Sequence, residues 1–215
     1  MNGVQDSLTP IHADAEANYA RLAAIYDGEV KRMAAARKRA IEALDLRPGM
    51  YVLDVGCGTG LSLVALSSAV GPTGRVTGFE LSGPMLAHAA AVVERHGLSN
   101  VTLCQSAGEH FTSDVKFDAA LLCYTHDVQQ SPAALAAIFK TLKVGARIVA
   151  TGTKLLPAPV GWLLNGWLRK RQRGYNSNPV GLECPWRLLP EFVEADFSVR
   201  PYYAGLGYLF HGRVT

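Results

Sequence analysis

Val52-Leu53-Asp54-Val55-Gly56-Cys57-Gly58-Thr59-Gly60 carries a short apolar run into an acid and then into three glycines at alternate positions. Tyr51, Val52, Leu53 and Val55 suit a central strand of a parallel sheet, where both faces are covered. Gly56, Gly58 and Gly60 then supply backbone without Cβ atoms, on which the chain turns sharply into a helix and a ligand can approach to contact distance. Alone, the stretch also fits a plain glycine turn between strand and helix.

The residues that follow narrow this reading. Helical apolar spacing resumes at Leu61, Leu63, Val64 and Leu66, and a second strand pattern, Gly74-Arg75-Val76-Thr77-Gly78-Phe79, ends in Glu80. Glu80 stands twenty residues after Gly60, where a doubly wound α/β fold places the carboxylate that accepts hydrogen bonds from ribose hydroxyls. The loop departs from the dinucleotide fingerprint, because its third glycine comes one residue early and Asp54 precedes it. An acid beside the loop repels a pyrophosphate and attracts a cationic amine, which points to S-adenosylmethionine.

Residues 49–154 resemble the core of the class I S-adenosylmethionine-dependent methyltransferases. The resemblance rests on residues 52–60, on Gly78-Phe79-Glu80-Leu81-Ser82, on Phe117-Asp118-Ala119-Ala120-Leu121-Leu122 and on Leu142-Lys143-Val144-Gly145-Ala146-Arg147-Ile148-Val149-Ala150, in the family's order and spacing over about half the chain. It implies a Rossmann-like, doubly wound, seven-stranded and mostly parallel sheet, with an antiparallel C-terminal strand and N-terminal cap helices. S-adenosylmethionine is the implied cofactor, with Tyr26, Asp54, Gly56, Cys57, Gly58, Gly60, Glu80, Leu81, Met85, Ser106, Ala107, Cys123 and Tyr124 as its contacts. Ser106 departs from the acid that the family commonly carries there, although a hydroxyl still accepts a hydrogen bond from an adenine amine. Glu109, close by, reads as a solvated residue.

The apolar and turn pattern predicts a helix near 60–70, a strand over 74–80, a helix over 83–96, strands over 100–105 and 116–123, a helix over 131–142 and a strand over 146–153. Such alternation makes a mostly parallel sheet that binds ligands beyond the carboxyl ends of its strands. Upstream, residues 11–46 read as two helices meeting near Tyr26-Asp27-Gly28, and Lys31, Arg32, Arg37, Lys38 and Arg39 read as a solvated face. Downstream, the segment from Cys184 reads as a helix followed by a hairpin. The chain is expected to form one domain, with a helical cap over 1–48, the cofactor-binding core over 49–154, a substrate-side helix or lid over 155–185, and a C-terminal helix and hairpin over 186–215.

Composition sets the bounds. A chain of 215 residues that is 49% hydrophobic suffices for one substantial core. A net charge of +3 is too small to argue for nucleic acid. Cys57, Cys104, Cys123 and Cys184 are scattered without a Cys-x-x-Cys pair or a His/Cys metal cluster, and read as reduced, cytoplasmic thiols. No apolar run approaches the roughly eighteen residues that span a bilayer, so a soluble protein is expected.

The segment after the fourth predicted strand, Cys123-Tyr124-Thr125-His126-Asp127, faces the methyl acceptor in the resembled family. It lacks the Asn/Asp-Pro-Pro-Tyr/Phe quartet of amide and adenine N-methyltransferases, which argues against DNA-base and glutamine substrates. His126 beside Asp127 suits a catalytic base for a hydroxyl or carbon acid, or else a loop histidine beside a helix-capping acid. Val160, Leu163, Leu164, Trp167 and Leu168 recur at helical spacing ahead of a basic cluster. That amphipathic helix suits the sheet's outer layer, a lid over an apolar acceptor, or a membrane surface. Trp162, Trp167, Tyr175 and Trp186 are the candidate acceptor contacts. The expected function is methyl transfer to a small-molecule or lipid-like acceptor; the alternatives are a non-catalytic S-adenosylmethionine-binding regulator and a membrane-surface phospholipid N-methyltransferase.

Overall fold

The structure is a computed structural model, and it describes residues 34–157, 159, 161–162, 164–166, 169 and 181–215. Seven strands form one sheet in the order β3-β2-β1-β4-β5-β7-β6. These are β1 (Tyr51–Val55), β2 (Arg75–Glu80), β3 (Val101–Gln105), β4 (Phe117–Cys123), β5 (Leu142–Thr153), β6 (Ser198–Tyr202) and β7 (Gly207–Arg213). The first five pair in parallel, and β7 runs antiparallel to both neighbours, β5 and β6. Among the described residues they are accompanied by the helices α1 (Ala34–Ala43), α2 (Leu63–Val70), α3 (Gly83–Arg95), α4 (His126–Gln129) and α5 (Pro132–Phe139). The expected doubly wound architecture is therefore present, and the first predicted cap helix lies outside the described residues.

Strand alternation sends successive side chains to opposite faces. Leu53 and Val55 join Phe79, Phe117, Leu122, Leu135 and Ile138 in the core beneath α5, while Val52 joins Ala40, Leu44, Leu63, Leu66 and Val76 beneath α1 and α2. The same parity carries Asp54 to the α1 side, and Cys57, beyond the end of β1, packs into that same cluster. Two helix starts are fixed by local chemistry. Ser82 and Ser131 each accept a backbone N–H three residues on, from Met85 and Ala134, and each is followed by proline in the first turn.

The expected helix near 184–190 is not formed. The chain there makes turns and one short 3-10 turn (Leu189–Phe192), because Pro185 and Pro190 break the amide ladder and push their predecessors away from helical backbone. The hairpin after it is present as β6 and β7. Among the described residues no helix is long and apolar enough to cross a membrane, no group of three or more His, Cys, Asp or Glu side chains is placed to hold a metal, and the four cysteines are unpaired.

Besides the β5–β7 ladder, a buried side-chain bond ties the hairpin to the parallel core, from the Tyr208 hydroxyl to Gln129 Oε1 at 2.7 Å. Both residues are inaccessible to solvent. Tyr208→Phe leaves the Gln129 oxygen without its donor, so urea unfolding is expected to show a loss of about 1–3 kcal/mol, partly recovered when Gln129→Leu is added.

Candidate active site

The carboxyl ends of β1, β2 and β4 open onto one cleft. Its larger lobe, about 730 Å³, is lined by Gly56, Gly58, Phe79, Glu80, Leu81, Met85, Ser106, Gly108, Glu109, Cys123, Tyr124, Thr125, Asp127, Val128, Ser131 and Ala134. A smaller lobe of about 360 Å³ lies toward α1, between Arg37, Asp54, Thr59, Leu61 and Ser62. Gly56, Gly58, Cys123 and Tyr124 line both lobes and form the junction between them.

The glycine loop is built by backbone conformation. Gly56 and Gly58 have φ of 58° and 56°, a left-handed region disfavoured for residues bearing a Cβ. At Gly56 a Cβ would also stand 2.9 Å from Thr125 Cγ2. Gly60, with φ of 85°, also serves packing, since a Cβ there would meet Leu63 Cδ1 at 2.9 Å and the backbone of Ala89 in α3 at 3.0 Å.

Glu80 ends β2 buried, with its two oxygens fixed by backbone donors: Gly58 N–H to Oε2 at 3.0 Å and Ser82 N–H to Oε1 at 2.9 Å. Burial raises its pKa, and those N–H bonds pull it back down. Each oxygen keeps a lone pair for a diol. In Ser106 the hydroxyl proton is used on the Ala107 carbonyl at 2.9 Å, which leaves the oxygen as an acceptor, as an adenine amine requires.

Asp54 is the second buried carboxylate, and its Oδ2 has no hydrogen-bond partner. Desolvation pushes its pKa up to about 7; the Arg37 charge opposes this and the Glu80 charge adds to it. Arg37 is half-buried on α1 and also hydrogen-bonds Cys123, whose thiol burial pushes up to about 12. The sequence reading of Arg37 as part of a solvated face is thus corrected. The available signal was its position three and four residues before Ala40 and Ile41, on the apolar stripe of its own helix. Glu109 is corrected in the same way: it is half-buried and lines the cleft.

Tyr124, at the junction, is a bulky residue with φ of 61°, a conformation that stores about 1–3 kcal/mol of strain. Its N–H donates to the Thr151 carbonyl at 2.8 Å, and burial raises its hydroxyl pKa.

The remaining predicted residues divide. Leu81, Met85, Cys123 and Tyr124 come to the larger lobe. Cys57 packs its side chain into the core under α1 and α2 while its N–H donates to Phe79 O; it also borders the smaller lobe. Ala107 is absent from the cleft lining. Asp127 lines the cleft, whereas His126, also buried, does not. Trp186 packs its ring on Tyr208, with centroids 4.8 Å apart, and Trp162 is 81% exposed, so neither reaches the described cleft. Exposure of Trp162 also takes that residue out of the core-facing reading of its helix. Tyr26, Trp167 and Tyr175 lie outside the described residues.

A family model described as a methyltransferase domain matches residues 46–172. The chain belongs to the methyltransferase-domain family. Nocamycin O-methyltransferase of Saccharothrix syringae is 32% identical to it over 153 residues, which are 67% of this chain and 52% of that one. Demethylmenaquinone methyltransferase of Bacillus cytotoxicus is 32% identical over 134 residues, 61% of this chain and 56% of the other. The chain thus spans about half the length of the curated relatives it matches. Among solved structures, the DhpI–SAH complex superposes with a TM-score of 0.65 at 21% identity, covering 95% of this chain and 97% of that one; that likeness speaks to the fold.

S-adenosylmethionine is the cofactor of this family, and the residues present fit it. Glu80, a buried carboxylate with spare acceptor capacity, stands beside a Cβ-free loop, and Asp54, with an unpartnered oxygen, lines the same small lobe as Arg37, which places both charges that a zwitterion needs in one lobe.

The Asp54 shift has a signed consequence. Its pKa is raised from 3.8 to about 7 in the folded chain, so its contribution to stability is full below pH 4 and is lost as pH rises toward 7. Without cofactor, the unfolding free energy of the wild type is expected to fall between about pH 4 and 7 by an amount on the order of a few kcal/mol, and Tm to fall with it. Asp54→Asn should flatten that slope, as calorimetry across the range will read.

Proposed function

We propose that this chain transfers the methyl group of S-adenosylmethionine to a small-molecule acceptor. The observation that carries the reading is the two-lobed cleft, with a buried carboxylate for each end of the cofactor: Glu80 for the ribose, and Asp54 with Arg37 for the amino-acid tail. In this arrangement the Asp54 carboxylate pairs with the ammonium, Arg37 pairs with the carboxylate, and Ser106 accepts from the adenine amine. The reacting end then falls at the junction of Gly56, Gly58, Cys123 and Tyr124.

The cofactor supplies an electrophilic methyl on a sulfonium. A lone pair of the acceptor forms the new bond to that carbon as the carbon–sulfur pair returns to sulfur, and an O–H or N–H acceptor must also release its proton. Asp127 lines the cleft and is the candidate to receive it. His126, set back from the lining, is assigned the secondary role of orienting this turn. The protein's main contribution is alignment and exclusion of water, effects that account for several kcal/mol of barrier. Small-molecule acceptors are supported by the named relatives, an O-methyltransferase and a quinone-precursor methyltransferase. A lipid-like acceptor and contact with a membrane surface remain within this proposal through Trp162 and Leu164, both exposed.

Conversion of S-adenosylmethionine to S-adenosylhomocysteine, followed by mass spectrometry with a panel of phenols, enolic diketones and quinols, tests the reading. Wild type should turn over at least one class, and Glu80→Ala should weaken cofactor binding by tenfold or more, about 1.5–3 kcal/mol for each lost charge-assisted bond. Failure of the folded protein to bind the cofactor in calorimetry would falsify the assignment. Asp127→Asn should slow turnover about a hundredfold while leaving cofactor affinity intact; a larger effect of His126→Asn would reverse the assignment of base.

A further inference from the structure

A line of hydroxyls runs from the cleft into the C-terminal hairpin. Tyr124 Oη lies 3.4 Å from Tyr202 Oη, Tyr202 Oη lies 2.9 Å from Thr151 Oγ1, and Thr151 Oγ1 donates to the Tyr208 carbonyl at 2.8 Å. A hydroxyl has one proton to give, which fixes the direction along the line. Thr151 gives its proton to a carbonyl, which can only accept. Tyr202 must then spend its one proton on Thr151, shared at 3.3 Å with the Gly152 carbonyl in a bifurcated bond. Its oxygen is left as an acceptor toward Tyr124, so Tyr124 donates to Tyr202. The proton of Tyr124 is held toward the hairpin, and what remains for the cleft is a lone pair.

The arrangement is built into the backbone. Tyr202 is the register partner of Gly207, and any side chain at 207 would overlap the Tyr202 ring. A Cβ at Gly152 would make a tight contact with the Tyr208 ring, at 3.3 Å. Immediately after Tyr202 the chain passes through Tyr203, Ala204 and Gly205, all with positive φ, and the Tyr203 ring meets that of Tyr202 edge-on at 4.9 Å. Burial raises the pKa of both Tyr124 and Tyr202, which keeps the phenols protonated.

Resting on the methyltransferase reading above, we infer that Tyr202 is a positioning residue that holds Tyr124 as a hydrogen-bond acceptor at the reacting end of the cleft, selecting acceptors whose nucleophile carries a proton, such as phenols, enols and N–H amines. A fully substituted amine offers Tyr124 no donor. It faces that lone pair with another.

Two measurements on Tyr202→Phe test this. Tyrosine carrying ¹³C at Cζ gives an infrared C–O band that responds to whether the hydroxyl donates; the Tyr124 band is assigned by its loss in Tyr124→Phe. Loss of the Tyr202 oxygen should move that band, and an unmoved band overturns the direction of the line. In turnover, Tyr202→Phe should lower kcat/KM for phenolic acceptors about tenfold, mainly through KM, with cofactor affinity unchanged and with N,N-dimethylaniline turnover, negligible in wild type, unchanged or increased. Wild-type turnover of dimethylaniline comparable to that of phenols, or no loss with phenols in Tyr202→Phe, overturns the selection. If wild type methylates no acceptor in either class, the functional reading and the acceptor class fall together, and the band shift still decides the hydrogen-bond direction.

Discussion

Two carboxylates, Asp54 and Glu80, are held out of water at the carboxyl ends of adjacent parallel strands, and the site is arranged around keeping them there. Burial alone would neutralise both. Glu80 is supported by backbone donors at Gly58 and Ser82, which couple the glycine loop to the start of α3 through one side chain. Asp54 has less support: only the Arg37 charge opposes its desolvation, and one of its oxygens has no donor. The asymmetry is informative. Under the proposed reading the missing partner is the cofactor's ammonium, so the stability that Asp54 withholds from the empty protein would return as binding energy.

That coupling makes α1 part of the site rather than a cover over the sheet. Arg37 touches the electrostatics of Asp54 and Cys123 together, and so links the ends of β1 and β4 from one helix. Displacing α1 would strip Asp54 of its opposing charge and open the smaller lobe in a single motion. The helix is held by Ala40 and Leu44 in the core and by Arg147, which bonds the Ala43 carbonyl at 3.4 Å and Asp45 at 3.3 Å. Its attachment therefore rests on apolar contact plus a few partly solvated polar bonds.

The sequence discloses those parts of the molecule whose signals are local. The β1 run, the alternate glycines, Glu80 and the Ser82-Gly83-Pro84 helix start could each be read within a few residues, because strand parity, positive φ and capping are short-range properties. Residues whose role depends on tertiary packing escaped. Arg37 sat in a charge run, and Glu109 followed a strand with nothing nearby to mark it as covered. His126 and Asp127 are adjacent, and in a helix adjacent side chains diverge by about 100°; sequence could not say which would face the cleft. Trp186 looked like an acceptor contact by type, but its place on Tyr208 follows from the hairpin's register.

That register explains how the acceptor end of the site is made. Because β7 runs antiparallel beside β5, its first residues rather than its last lie at the carboxyl end of the sheet, opposite Gly152 and Thr153. The turn between β6 and β7 is thereby carried to the end of the sheet at which the cofactor cleft opens. A parallel strand in that place would have needed a crossover helix and would have presented a strand end instead of a tight, strained turn. Under the proposed reading the cofactor is held from α1 and from β1 to β4 with their loops, while the hydroxyl line on Tyr124 comes from β5, β6 and β7. The two parts meet at Tyr124, whose left-handed backbone is anchored by the bond from its amide to Thr151 on β5 and whose hydroxyl lies 3.4 Å from that of Tyr202 on β6.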